Sequence, residues 1–173
     1  GLRPTRERFT GYLARISEDA PDAVSLHGHF KHNGYYTAAI GKVLHHADDR
    51  AEDYDEPNWL PGVGGGAGCD YQMPENIAIA NGKDFDGRGP AFERGEVADT
   101  AYWDGKIADR AVDFLARPQV QGKDKKQPFF LAVGFMKPHL PFNAPAKYWD
   151  LYDPSDIIMP TTYYRAEGTP NAI

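Results

Sequence analysis

The sequence predicts an α/β fold in which a mostly parallel sheet is flanked by helices. Two charge-free apolar runs, "YYTAAIG" at residues 35–41 and "PFFLAVG" at residues 128–134, have the composition and length of strands. Each follows a segment with helical spacing and a capping residue. A repeated helix-then-strand order implies parallel strands with helices packed on their faces.

Taken in order, residues 22–33, "DAVSLHGHFKHN", read as a short helix. Asp22 is positioned to cap it, Leu26 and Phe30 fall four apart on one face, and Gly34 can end it. The first strand follows at 35–41. Residues 46–98 have low apolar content and several glycine runs, so they read as a long, loop-rich insertion. Within it "GVGGGAG" lacks the Lys-Ser/Thr and the following helix that a phosphate cradle needs. From Asp99 or Thr100 to Arg117, the residues Trp103, Ile107, Ala111, Phe114 and Leu115 share one helical face. Asp104, Lys106, Asp109, Arg110 and Asp113 lie mostly on the other. Pro118 stops this helix, "QVQGKDKKQ" reads as a polar loop, and 128–134 reads as a strand covered on both faces. "APAKYWDLY" suits a short helix, and "DPSDIIMP" an extended piece.

With 173 residues and 41% hydrophobic content, the chain can bury one core, so one domain or one piece of a larger domain is expected. It starts without Met and in charged and turn residues, which predicts sequence upstream of Gly1. A net charge of -6 with no basic cluster argues against nucleic acid as partner. No apolar run approaches bilayer-spanning length, so no membrane partner is expected. Cys69 is the only cysteine, which excludes an internal disulfide and a cysteine-based zinc site.

Ligands of open α/β sheets bind beyond the carboxyl ends of the strands. Both predicted strands deliver the same groups there: "GKVLHH" supplies Lys42, His45 and His46, and "FMKPH" supplies Lys137 and His139. Fixed positive charge beside titratable imidazoles suits a tetrahedral oxyanion. Pro138 and Pro141 bias Lys137 and Leu140 toward extended backbone and stiffen the second loop. A lone strand-end Lys or His is by default a solvated loop residue. His27, His29 and His32 read as surface or half-buried helical residues, and Trp59, Trp103 and Trp149 as packing. Tyr35, Tyr36, Tyr148 and Tyr152 read as core or edge aromatics. "HHADD" offers His45, His46, Asp48 and Asp49 as metal ligands, but neighbours in a loop do not set a coordination geometry.

"HFKHNGYYTAAIGKVLHH", "DGKIADRAVDFLARP" and "QPFFLAVGFMKPHLPFNAPAKYWDLYDPSDI", in this order, resemble the type I sulfatases of the alkaline phosphatase superfamily. The branch similar to iduronate 2-sulfatase is the nearest. The resemblance runs from about Gly1 to about Pro160, and "GLRP" resembles the "TGxRP" that follows the family's nucleophile segment. It implies an alkaline-phosphatase-like sandwich, a sulfuric ester hydrolase acting on a sulfated sugar, a formylglycine nucleophile, bound Ca²⁺ and an extracytoplasmic location. By the same resemblance, Lys42 contacts a sulfate oxygen and the nucleophile's hydrate, and His45 bonds that hydrate and assists sulfate release. His139 contacts the sulfate or protonates the leaving alcohol, and Lys137 lies nearby in a substrate-binding position. His46 is a rival for the role given to His45, because the commoner family pattern spaces Lys and His two apart. No Cys/Ser-x-Pro-x-Arg motif occurs, "GAGCDYQMP" around Cys69 does not fit it, and the family's acidic metal ligands are absent. The nucleophile and calcium ligands are therefore expected outside these residues, which would form an internal portion of one catalytic domain. Two rival readings remain: a phosphoric or phosphonic ester hydrolase of the same superfamily, and a nonenzymatic module that binds sulfated glycans.

Overall fold

The computed structural model describes residues 2–62, 70–82, 89–121, 127–162 and 164–169. Most of "GVGGGAG", Cys69 and the centre of "QVQGKDKKQ" lie outside the described residues. In chain order the elements are α1 (Ile16–Asp19), α2 (Leu26–His32), β1 (Tyr36–Gly41), β2 (Glu56–Trp59), α3 (Pro74–Ala80), β3 (Phe92–Gly95), α4 (Trp103–Ala116), α5 (Pro118–Gln121), β4 (Phe129–Gly134), β5 (Phe142–Pro145) and α6 (Ala146–Trp149). Every strand pairing is parallel, in a three-stranded sheet ordered β2-β1-β4 and a two-stranded sheet pairing β3 with β5.

β1 is the central strand, and its composition explains why. Thr37, Ala38, Ala39 and Ile40 are small or β-branched, carry no charge and are at most 3% exposed. β4 matches β1 residue for residue, from Tyr36 opposite Phe129 to Gly41 opposite Gly134, so the two strands end level. Side chains alternate across the sheet. Phe129 meets Phe114 of α4 on one face, with ring centroids 5.8 Å apart. Phe130 stacks on Phe30 of α2 on the other, at 4.2 Å. On the α4 side, Ala38, Ile40, Ile107, Phe114 and Val120 form the core, and burying Ile107 and Phe114 contributes about 1.5–3 kcal/mol each.

Several expectations change at this level. The cap of α2 is Ser25, whose hydroxyl accepts the Gly28 N–H, and Asp22 lies outside the helix. Leu26 and Leu115 are exposed, so the buried stripes are narrower than their spacing suggested. His27 is a buried residue: its ring packs against Tyr54 and Phe130, and burial lowers its pKa against the opposing pull of Asp53. β4 is an edge strand among the described residues and is only partly covered, although its apolar run reads as fully enclosed. Pro118 does end α4, yet it also opens the short turn α5 at its first position, where a missing N–H costs nothing.

Residues 46–98, read as a loop-rich insertion, are mostly irregular where described but also hold regular elements. They contain β2, α3 and β3, and so supply one strand to each sheet. Glu93 organises this region. It is 2% exposed, and its carboxylate accepts bonds from Gln72 N–H, Met73 N–H, Asn76 Nδ2 and the Tyr102 hydroxyl. A buried carboxylate tolerates desolvation when donors converge on it. Those donors come from two segments distant in sequence from each other, which the carboxylate ties together beside the buried Tyr71 and Tyr102.

Candidate active site

The site begins where β1 and β4 end. Gly41 has φ +81, a conformation that favours glycine, and a Cβ built on it would collide with the Gly134 carbonyl. A Cβ on Gly134 would collide in turn with the Lys42 carbonyl. The Lys42 N–H donates to Gly134 O at 2.6 Å. Two glycines thus let residues 42–46 and 135–139 leave the sheet side by side.

Lys42 is half-buried, and burial lowers its pKa. Its ammonium donates to the Leu44 carbonyl at 2.9 Å and lies 3.3 Å from His45 Nδ1. An ammonium only donates, so Nδ1 must accept, and neutral His45 then carries its proton on Nε2. The pKa of exposed His45 is lowered first by the charge of Lys42, then by desolvation, His46 and His139. His139 therefore lies within electrostatic range of His45, although 94 positions separate them (139 minus 45). Lys42 and His45 are in contact beyond the end of β1, and His139 is on the loop that follows the neighbouring strand.

The other two predicted residues are arranged differently. His46 packs edge-on to His45, with centroids 4.9 Å apart, but its Nε2 faces the Leu13 carbonyl at 3.1 Å. That contact needs the proton on Nε2 and directs His46 to the N-terminal segment. The Lys137 ammonium donates to the Pro141 carbonyl at 2.7 Å, bracing its own loop. Lys137 and Pro138 are the central residues of a turn closed by His139 N–H on Met136 O at 2.9 Å. The peptides preceding Pro138 and Pro141 are both cis. Lys137 also lines an open, largely apolar shelf of about 360 Å³ with Phe142, Tyr148, Trp149 and Tyr152.

"HHADD" is put to structural use. Asp49 is 4% exposed and accepts the N–H groups of Ile16 and Ser17 at the start of α1, while Asp48 pairs with Arg15. These bonds dock the N-terminal segment against the first loop, with Tyr12 edge-on to His45 at 6.0 Å. Calcium requires several hard, mostly anionic oxygens. The cluster at the strand ends is cationic, and among the described residues no group of three or more His, Cys, Asp or Glu could hold a metal. These residues do not fit Ca²⁺.

Sequence reading missed Asp104. From the first turn of α4, its carboxylate accepts Met136 N–H at 2.7 Å and Lys137 N–H at 3.1 Å, tying down the second loop. An acidic residue at a helix start is so common that only the neighbouring strand end could have drawn attention to it.

Comparison with known proteins gives the family. Mouse iduronate 2-sulfatase is 28% identical over 166 residues, covering 92% of this chain and 28% of that protein. A sulfatase of Formosa agariphila is 32% identical over 176 residues, covering 92% and 32%. Choline-sulfatase of Rhizobium meliloti is 27% identical over 174 residues, covering 92% and 31%. The chain thus spans about a third or less of the length of these curated relatives. The Sulfatase family model matches residues 2–165. Parallel strands ending level, the Lys and His groups they carry and a match over nearly the whole chain converge on one conclusion: the chain belongs to the sulfatase family.

Proposed function

We propose that these residues are an internal portion of a single catalytic domain whose full-length protein hydrolyses sulfate esters of carbohydrates. The observation that supports this reading is that β1 and β4 end level, so that the loop with Lys42 in contact with His45 and the loop with His139 leave the same end of the sheet, in a chain of the sulfatase family. Lys42 and the Nε2–H of His45 would donate to nonbridging oxygens of the sulfo group, where negative charge is concentrated. As the S–O bond to the sugar breaks, His139 in its imidazolium form would pass its proton to the departing oxygen, which leaves as an alcohol. His45 is favoured over His46 because the latter's Nε2 is committed to Leu13. Lys137 supports the loop and edges the aromatic shelf, where a sugar ring would lie.

The nucleophile, a formylglycine by family resemblance, and the ligands of Ca²⁺ would come from outside this chain. The same resemblance supports an extracytoplasmic location for the whole protein. The relatives named for iduronate and choline sulfates define the substrate panel. The full-length protein is to be assayed with a sulfated uronate sugar, choline sulfate, 4-nitrophenyl sulfate and 4-nitrophenyl phosphate. Preferred turnover of the sugar sulfate is expected. Preference for the phosphate would assign it to phosphoester chemistry, and preference for choline sulfate would remove the sugar. Affinity for sulfated oligosaccharide with no turnover would leave only a binding module.

A further inference from the structure

We infer that Asp104 is the positioning residue of the loop that carries His139, an inference that deepens the sulfatase reading and rests on it. Each oxygen of its carboxylate takes the N–H of one of two consecutive residues, Met136 at 2.7 Å and Lys137 at 3.1 Å. Met136 then accepts the His139 N–H on its own carbonyl, at 2.9 Å. A relay of hydrogen bonds thus runs from Asp104 through Met136 to the backbone of His139.

The anchor is a rigid one. Asp104 is in the first turn of α4, whose Ile107 and Phe114 are 0% and 1% exposed in the core beneath β1 and β4. The loop is therefore referenced to the helix as well as to its own strand. Groups that transfer protons must be held to within a fraction of an ångström, and such precision comes from locked supporting contacts. Met136 and Lys137 are both half-buried, so removing the carboxylate leaves two amide donors short of acceptors. Asp104 touches no reacting atom in this scheme; it acts on His139 through the main chain.

Asp104→Ala and the milder Asp104→Asn are to be compared with wild type in the full-length protein. If Asp104 holds His139 on the leaving oxygen, reactions that need protonation suffer most. Asp104→Ala should lose about a hundredfold in kcat/KM on a sugar sulfate, a poor leaving group, but only about tenfold on 4-nitrophenyl sulfate, whose phenolate departs readily. Asp104→Asn keeps one accepting oxygen and should fall between, with the same inequality. A fall in folded fraction would lower both substrates equally. Amide hydrogen exchange supplies an arm independent of turnover: Met136 and Lys137 should both exchange at least about tenfold faster in Asp104→Ala, and at least one of them in Asp104→Asn, with Ile107 unchanged. Equal losses on the two substrates, or unchanged exchange at 136 and 137, would overturn the inference. If wild type turns over no sulfate ester while exchange accelerates as expected, the sulfatase reading fails and the loop tie stands.

Discussion

Lys42 and His45 illustrate how one contact sets two properties. The 3.3 Å approach of the ammonium to Nδ1 selects the Nε2–H tautomer of His45 and lowers its pKa. A lowered pKa keeps the imidazole neutral to more acidic pH, so His45 donates from Nε2 as a neutral group. Replacing Lys42 by Met removes the first-ranked cause of the shift, and the His45 titration should move up toward 6.5, read by histidine-selective NMR against pH. A titration that stays in place would show that Lys42 does not act on it. Lys42→Ala or His139→Ala should each cut kcat/KM of the full-length protein by at least about a hundredfold, the scale for losing one charge-stabilising or proton-transfer group. Near-normal rates in both would reject their assignment. At this scale the sequence was informative about which residues sit at the strand ends, because strand ends are set by local composition. It said little about where the side chains point. That His46 turns to Leu13 and Lys137 to Pro141 depends on carbonyls 33 and four positions away.

At the scale of elements, the strongly patterned pieces were legible. Residues 36–41, 103–116 and 129–134 adopt the structures their apolar spacing demanded, to within four residues at every end and with both strands ending where expected. The short elements within residues 46–98 were not legible, because polar contacts distant in sequence help to order them. Asp55 bonds the Thr37 N–H beside β1, and Glu93 gathers donors from residues 72, 73, 76 and 102. Glu93→Ala should destabilise the protein by about 3 kcal/mol or more, since several buried donors lose their acceptor at once, as measured by urea denaturation. Glu93→Gln should cost less in total but still destabilise, because its amide places a donor among donors. A loss under about 1 kcal/mol in the alanine variant would mean that water replaces the carboxylate.

At the scale of the whole molecule, the described residues leave much apolar surface uncovered. Val133 and Phe135 at the end of β4, and Leu151, Tyr152, Ile157, Ile158 and Met159 beyond α6, are each more than a third exposed. Among the described residues β4 is also an edge strand, paired on one side only. Expressed alone, residues 1–173 should therefore unfold with low cooperativity and tend to associate, checked by calorimetry and light scattering. A sharp, monomeric melt would show that the piece is self-sufficient. The fold class was legible at this scale because a repeated helix-strand order admits few architectures. Coverage was not, because an apolar strand looks the same in sequence whether its neighbour is present or not. The glycine pair at Gly41 and Gly134 matters here too. Their backbones touch where other residues would interpose a methyl group, so the gap between the two cationic loops is gauged by main chain alone. A carbon added at either position would push the two strand ends apart, and with them the loops that carry Lys42 and His139.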